Sequence, residues 1–288
     1  MTRLAILSDI HGNMTALRVV LEDMSALKID RVVVAGDVVN WGPHNVEVIQ
    51  RVVDEGWAVI RGNQELYLLD QDTERAPVEW NSFTIARWTR QQLGLRWLNV
   101  IAVWPDSLSL RFPDAPTMRV VHGSPRSHFE GIFPATTDEE IASILEGVQE
   151  QTVVAAHTHL PLDRQSGPWH IINPGAVGMP VQGRMEATYL ILDGDWTGWH
   201  ATLRRVPFSA EPVLRDFGAL HFAEACGVTG DLLLEEYRTA RLRVAPFLSW
   251  RRQLDGEPDN EPDSVLLSRF LSEIDPWDYT PVHYHVYK

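Results

Sequence analysis

Residues 3–13 read RLAILSDIHGN, a short apolar run that stops abruptly at serine, aspartate and histidine. Four later apolar runs end in the same way: VVVAGD at 32–37, AVIRGN at 58–63, MRVVH at 118–122 and TVVAAH at 152–157. Short continuous apolar runs of this kind are typical of strands that are buried on both faces, as in parallel sheets. The pattern therefore predicts five buried strands, each followed by a polar side chain.

Helical segments separate the first three runs. Apolar residues recur with helical spacing over 17–24, and again over 45–54, where Val46, Ile49 and Val53 are predicted to form the buried face. The resulting β-α-β-α-β order predicts a parallel sheet with right-handed crossovers. Ligands of open α/β sheets bind outside the carboxyl ends of the strands. We therefore expect the polar side chains to gather at one edge of one sheet.

The side chains at these strand ends are of the types that bind transition metals. They are Asp9, His11, Asp37, Asn63, His122, His157 and His159. A single Asp-x-His or Gly-Asp pair is usually only a turn, but five such endings in strand order predict a metal centre. The mixture of nitrogen and oxygen ligands suits Mn²⁺, Fe or Zn²⁺ better than Ca²⁺ or an all-oxygen Mg²⁺ site.

Six motifs together resemble the signature of the calcineurin-like metallophosphoesterases, within them the compact bacterial and archaeal phosphodiesterase branch. They are SDIHGN (8–13), GDVVNWGP (36–43), RGNQE (61–65), VHGSP (121–125), AHTH (156–159) and NPGAVG (173–178). The resemblance implies an α/β fold, a four-layer α/β/β/α sandwich spanning residues 1–206. Residues 207–288 would then form a helical C-terminal extension packed on that domain.

The resemblance also implies a ligand arrangement and a reaction. Two divalent ions are expected, Mn²⁺ first, with Fe, Zn²⁺ or Ni²⁺ as alternatives. One ion would be held by Asp9, His11 and His159; the other by Asn63, His122 and His157. Asp37 would bridge the two ions. The implied mechanism is direct attack on phosphorus by a hydroxide that bridges the two metals, without a phospho-enzyme.

Position 64 departs from the family pattern, because Gln64 stands where many members have a histidine that assists the leaving group. A glutamine cannot act as a general acid at neutral pH, although it can donate a hydrogen bond to a phosphoryl oxygen. The catalytic set predicted from the sequence is Asp37, Asn63, Gln64 and His128, with His44 as another residue that could assist. Arg126 and Arg184 are candidates for phosphate contact.

Several functions remain open at this stage. The first is hydrolysis of small, nucleotide-like phosphodiesters; the alternatives are a phosphomonoesterase or protein phosphatase, and a non-catalytic scaffold that has lost the histidine at position 64. A nucleic-acid substrate is disfavoured by the formal net charge of −14, which repels a phosphate backbone. Oligomeric state is not indicated by the sequence.

The remaining composition predicts a cytoplasmic protein that does not enter a membrane. Cys226 is the only cysteine of 288 residues, so an internal disulfide is excluded. The first apolar run is too short for a signal peptide, and no apolar stretch approaches the ~20 residues of a membrane span. The C-terminal extension either covers apolar surface or overhangs the metal edge. Near its end, His283 and His285 have a spacing that could bind a metal.

Overall fold

The computed structural model describes residues 1–78, 80, 83–254 and 262–287. Within them, ten strands form two five-stranded sheets. The strands are β1 Thr2–Leu7, β2 Arg31–Val34, β3 Ala58–Val59, β4 Ser107–Leu110, β5 Met118–Val121, β6 Thr152–Ala155, β7 Leu162–Ser166, β8 Trp169–Asn173, β9 Glu186–Asp195 and β10 Gly198–Pro207. All five predicted apolar runs contain strands, namely β1, β2, β3, β5 and β6.

The strand order is β10-β9-β1-β2-β3 in the first sheet and β4-β5-β6-β8-β7 in the second. In the first sheet, β1, β2 and β3 are parallel, while β9 and β10 run antiparallel to β1 and to each other. In the second, β5, β6 and β8 are parallel. Both sheets are therefore mixed. The parallel strands are central in the second sheet, whereas in the first they include the edge strand β3.

Nine helices are described along the same residues. They are α1 Met14–Ser25, α2 Asn45–Asp54, α3 Asn63–Asp70, α4 Thr84–Ala102, α5 Asp138–Ile144, α6 Glu211–Ala219, α7 Phe222–Thr239, α8 Val244–Arg251 and α9 Asp263–Glu273. Two short 3₁₀ helices follow, Pro276–Tyr279 and Val282–Tyr287. None of the described helices is long and apolar enough to cross a membrane.

Side chains that alternate between the two faces of each strand produce the four layers. In β1, Leu4 and Ile6 face the second sheet, whereas Ala5 and Leu7 face α1, α2 and α4. On the far side of the second sheet, Val153 packs against α5. Because successive side chains of a strand point to opposite faces, each central strand contributes to two cores at once. The predicted α/β/β/α sandwich with C-terminal helices is confirmed.

The buried face of α2 differs from the predicted one. Val48, Ile49 and Val52 are buried, whereas Val46 and Val53 are 39% and 41% exposed. The cause is Asn45, the first residue of the helix, which accepts a hydrogen bond from the backbone N–H of residue 40 and donates one to the carbonyl of residue 42. This inward amide fixes the rotation of the helix, so residues 3, 4 and 7 positions later are the buried ones.

Helices α6 to α9 have a core of their own that extends onto the sandwich. Its largest fully buried members are Phe217, Phe222, Tyr237, Phe247 and Phe270. Ile85 of α4 and Met179, from the loop before β9, belong to the same cluster. The extension thus contacts the end of the sandwich that carries the metal-ligand candidates. Its division from the rest of the chain at residue 206 stays a prediction.

One buried carboxylate joins α7 to α8. Oε1 of Glu236 accepts the backbone N–H groups of Arg243 and Val244 at 2.6 and 2.8 Å, whereas its Oε2 has no hydrogen-bond partner among the described residues. Burial raises the pKa of this carboxyl from 4.5 to about 7. A carboxyl with a raised pKa favours the folded state below pH 4.5, and this contribution is lost as the pH rises through about 7.

Glu236→Gln is therefore expected to be as stable as the wild type near pH 4.5 and more stable at pH 8. The difference should reach about 3 kcal/mol, because each pKa unit corresponds to ~1.4 kcal/mol. The glutamine keeps a carbonyl oxygen for the two N–H groups and removes the charge. Urea unfolding of both proteins across this pH range measures the effect. Equal stability at pH 8 would contradict the assignment.

Candidate metal centre

The carboxyl ends of five strands meet at one end of the sandwich, and they come from both sheets. Strands β1, β2 and β3 of the first sheet lead to Asp9, Asp37 and Asn63, whereas β5 and β6 of the second lead to His122 and His157. The expectation of one edge of one sheet was wrong. A continuous apolar run does not reveal which strands pair, and here two stacked sheets point their parallel strands the same way.

Six of the seven predicted ligands form two groups whose ligand atoms lie within 4.8 Å of one another. The first group is Asp9, His11 and His159, and the second is Asp37, His122 and His157. In the first, Nε2 of His159 lies 3.1 Å from Nε2 of His11 and 3.2 Å from Oδ1 of Asp9. In the second, Nε2 of His122 lies 3.3 Å from Oδ2 of Asp37. Each group has the nitrogen and oxygen atoms for one transition-metal ion.

Asp37 lies between the two groups. Its Oδ2 is 3.8 Å from Nε2 of His11 in the first group and 3.3 Å from Nε2 of His122 in the second. Asn63, the seventh predicted ligand, places Oδ1 2.9 Å from Nε2 of His122. These distances allow Asp37 to serve both groups and Asn63 to join the second.

Two histidines are oriented by backbone carbonyls. Nδ1 of His122 lies 2.8 Å from the carbonyl of Ala35, and Nδ1 of His159 lies 2.7 Å from that of Met179. Because a carbonyl oxygen can only accept, each Nδ1 carries a proton, and Nε2 is the ring nitrogen that faces the centre. This arrangement is common for metal-binding histidines.

The backbone at the site is held in an unfavourable conformation. Five of the predicted ligands have a φ between 49° and 69°: Asp9, His11, Asp37, His157 and His159. Left-handed conformations of non-glycine residues cost about 1–3 kcal/mol each and persist only where the surroundings enforce them. His157 and His159 therefore do not lie on an extended segment, and they enter different groups.

Glu65 enforces part of this conformation. Its buried carboxylate accepts the backbone N–H groups of Asp37, Val38 and Val39 at 2.9, 2.9 and 3.2 Å, and that of Gly62 at 2.7 Å. It thereby ties the loop after β2 to the start of α3. The neighbouring Arg61 pairs with Asp106.

Close packing reinforces the same loop contact. A Cβ added at Gly62 would lie 2.0 Å from Oδ1 of Asp37, so that no larger residue fits without moving the carboxylate. The N–H of Gln64 donates to the same oxygen at 2.9 Å. Asp37 is thus positioned by the first turn of α3, and its Oδ2 remains directed at the histidines.

The histidines of the cluster are of two kinds, those whose pKa is lowered and those whose pKa is raised. Burial lowers the pKa of His11 and of His157 to about 4, so both are neutral imidazoles at neutral pH. For His122, burial opposes protonation, but Asp37 outweighs it and the pKa rises to about 9. The pKa of His159 is raised in the same way, by Asp9 against the effect of burial.

One structural observation indicates that these residues fit a metal centre. Asp9 is fully buried, and neither of its carboxylate oxygens has a hydrogen-bond partner among the described residues; Nδ1 of His11 lacks one too. A buried carboxylate without donors is costly unless it is paired or binds a cation. The pKa of Asp9 is nevertheless lowered, because His159 and its neighbours overcome the effect of burial.

Metal binding is expected to release protons and to tighten as the pH rises. Below a pKa of about 9, His122 holds a proton on the nitrogen that a metal would use, so metal and proton compete. The apparent affinity for Mn²⁺ should therefore increase from pH 6 towards pH 9. Calorimetric titration in two buffers with different ionisation enthalpies measures the released protons. A pH-independent affinity without proton release would contradict this picture.

Gln64 belongs to a buried hydrogen-bond chain at the edge of the centre. Its Oε1 accepts from Nδ2 of Asn40 at 2.8 Å, and Oδ1 of Asn40 accepts from Oγ1 of Thr89 at 2.8 Å. The chain fixes the amide and leaves Nε2 of Gln64 as the group that can donate. Asn40 and Thr89 were not recognised from the sequence, because neither follows a strand.

The other residues considered as catalytic or phosphate-contacting have different surroundings. Nε2 of His128 lies 3.2 Å from Oδ1 of Asp106, and Nε2 of His44 lies 3.0 Å from Oδ2 of Asp216 in α6. Arg126 is ion-paired with Glu130. Arg184 is exposed. A role for His128 or for either arginine stays a prediction.

The histidine pair near the C-terminus does not converge on one point. His283 stacks on Phe133 with ring centroids 4.6 Å apart, whereas His285 stacks on Trp277 at 4.7 Å. The segment is a 3₁₀ helix, so residues two apart point in different directions. The spacing that suggested metal binding therefore has an aromatic packing explanation.

Comparison with known proteins agrees with this fold. The model of the calcineurin-like phosphoesterase superfamily domain matches residues 2–196. The chain therefore belongs to the calcineurin-like phosphoesterase superfamily, whose members use divalent metals, and it is related to the compact bacterial and archaeal branch.

This chain matches individual relatives over most of their length. The phosphodiesterase YfcE of Escherichia coli K12 is 28% identical over 199 residues, which are 68% of this chain and 89% of that protein. A metallophosphoesterase structure from Sphaerobacter thermophilus superposes with a TM-score of 0.64 at 24% identity, covering 83% of this chain and 99% of that one. A hypothetical protein from Pyrococcus horikoshii OT3 gives 0.71 at 20% identity, covering 84% and 100%. The two structures support the fold.

Proposed function

We propose that this chain hydrolyses small, nucleotide-like phosphodiesters with two divalent metal ions, Mn²⁺ first among them. One ion would be held by Asp9, His11 and His159, and the other by Asn63, His122 and His157, with Asp37 shared. The observation that carries the proposal is the pair of adjacent ligand groups with Asp37 between them. The relation to a phosphodiesterase, YfcE, supports the diester substrate.

When bound, the two ions would supply a hydroxide nucleophile at neutral pH and stabilise the charge that develops during displacement at phosphorus. The chain's own residues prepare the site for this role. Neutral His11 and His157 present lone pairs, and carbonyl contacts aim Nε2 of His122 and His159 inward. Glu65 and the start of α3 hold Asp37 in position before any ligand arrives.

Gln64 sets the substrate preference that we propose. Its Nε2 can donate a hydrogen bond to a phosphoryl oxygen, but the amide cannot give a proton to a leaving alkoxide. Esters whose leaving group is already a weak base should therefore react best. This favours aryl esters over simple alkyl esters.

The test is hydrolysis of bis(p-nitrophenyl) phosphate and of p-nitrophenyl phosphate with Mn²⁺ added. We expect turnover that requires the metal and that is faster with the diester. The non-catalytic scaffold is the second candidate, favoured by the amide at position 64. A folded protein that holds two Mn²⁺ ions per chain and turns over neither ester would overturn the hydrolase in favour of that scaffold.

A further inference from the structure

A cavity of about 650 Å³ lies beside the metal centre, between the sandwich and the C-terminal helices. Asn40, Gln64 and Tyr67 form its wall on the side of the centre. Gln64 directly follows the predicted ligand Asn63, and its N–H donates to Asp37. The cavity therefore begins where the metal centre ends.

The far wall belongs to the C-terminal extension and to the start of α4. It includes residues 83–86 at the start of α4, residues 224–229 of α7 and Phe247 of α8. Within this wall, α4 and α7 are joined by a hydrogen bond of 2.9 Å from Oγ1 of Thr84 to the carbonyl of Cys226. At the next residue, Gly227, the helix α7 is interrupted by a φ of 60°. The cavity is thus formed by the packing of the extension on the sandwich.

The wall is mainly apolar, and its charges do not favour a second phosphate. Trp41, Tyr67, Phe83 and Phe247 contribute aromatic surface. Within the described part of the wall, the cation Arg251 lies 3.3 Å from the carboxylate of Asp263, which neutralises it. Glu224 adds a negative charge. An uncharged, planar group suits this lining, whereas a further anionic group would be repelled.

We propose that the cavity binds the uncharged aromatic group, a nucleobase-like or aryl ring, of an ester whose phosphate is held at the metal centre. This inference rests on the function proposed above and names the class of substrate. The volume lies within the range of about 300–1,000 Å³ of small-molecule pockets. The C-terminal extension accordingly supplies substrate specificity to a centre that the sandwich alone provides.

Binding of phosphonates to the Mn²⁺-loaded protein tests the cavity without any turnover. The wild type should bind 1-naphthylphosphonate about 50-fold more tightly than methylphosphonate, the gain from burying on the order of 100 Å² of ring surface. Ala225→Trp fills the cavity from α7, and Thr229→Phe fills it one turn later. Both variants should lose this preference to within about fivefold, while methylphosphonate binds as before.

Ala219→Trp is the matched control, because Ala219 is an exposed alanine of α6 that is not part of the cavity wall. It should keep the wild-type preference. Equal binding of the two phosphonates by the wild type, or an unchanged preference in both filled variants, would overturn the cavity assignment. If the protein prefers the naphthyl ring but hydrolyses neither ester, the cavity assignment is supported and the proposed hydrolase activity is refuted. If it hydrolyses an ester without preferring the ring, the hydrolase activity is supported and the cavity assignment is refuted.

Discussion

Asp37→Asn is expected to lower metal-dependent phosphodiester hydrolysis by about 10³-fold. The carboxylate is the one predicted ligand within 3.8 Å of a histidine in each group, and asparagine removes its charge. A metal centre contributes several kcal/mol to such a reaction, and each ~1.4 kcal/mol is a factor of ten in rate. The measurement is kcat/KM for bis(p-nitrophenyl) phosphate at saturating Mn²⁺.

The fold of the Asp37→Asn variant should survive. The asparagine carbonyl can still accept the N–H of Gln64, so the contact that holds the first turn of α3 remains. Asp23→Asn is the control, since Asp23 pairs with Arg204 and Tyr189 away from the centre. That change should cost some stability and leave kcat/KM within about twofold. An Asp37→Asn enzyme with more than a tenth of wild-type activity would refute the shared role of Asp37.

Glu65→Ala is expected to lower the free energy of unfolding by about 4 kcal/mol or more. Four backbone N–H groups would lose their acceptor, and each buried unsatisfied group costs about 1–3 kcal/mol. Metal affinity should fall as well, because the loop carrying Asp37 is no longer tied to α3. Denaturant unfolding and Mn²⁺ titration measure the two effects.

Glu140→Ala is the matched control for this prediction. Glu140 also reaches back from the third position of a helix, α5, to the N–H of Thr137, but it does so at the surface. Its loss should cost only about 1 kcal/mol and leave metal binding intact. Equal costs for the two substitutions would show that Glu65 is an ordinary helix cap rather than the support of the site.

The sequence predicted the strands well, because the burial of a short apolar run depends on local pattern. Each apolar run became a strand, and helix α2 has the predicted bounds of 45–54. A capping box of Thr137 and Glu140, three residues apart in the sequence, stands at the start of α5. Burial of a short run and capping of a helix are decided by neighbouring residues, which a single sequence contains.

Features that depend on distant contacts were not predictable in the same way. The pairing of strands into two sheets depends on contacts between residues far apart in the chain. It cannot be predicted from each apolar run, because the sequence pattern of a run is the same in either sheet. The rotation of α2 is decided by the side chain of Asn45 in a turn. The role of Glu65 depends on four N–H groups brought together from two loops, three of them more than 25 residues away. The cavity at Gln64 needs the packing of α7 and α8 on the sandwich.

The most direct test of the metal centre is an anomalous difference map from crystals grown with Mn²⁺. The account predicts two peaks about 3.5–4 Å apart. One should contact Asp9, His11 and His159, the other Asn63, His122 and His157, with Asp37 touching both. A single peak, or peaks away from these side chains, would contradict it.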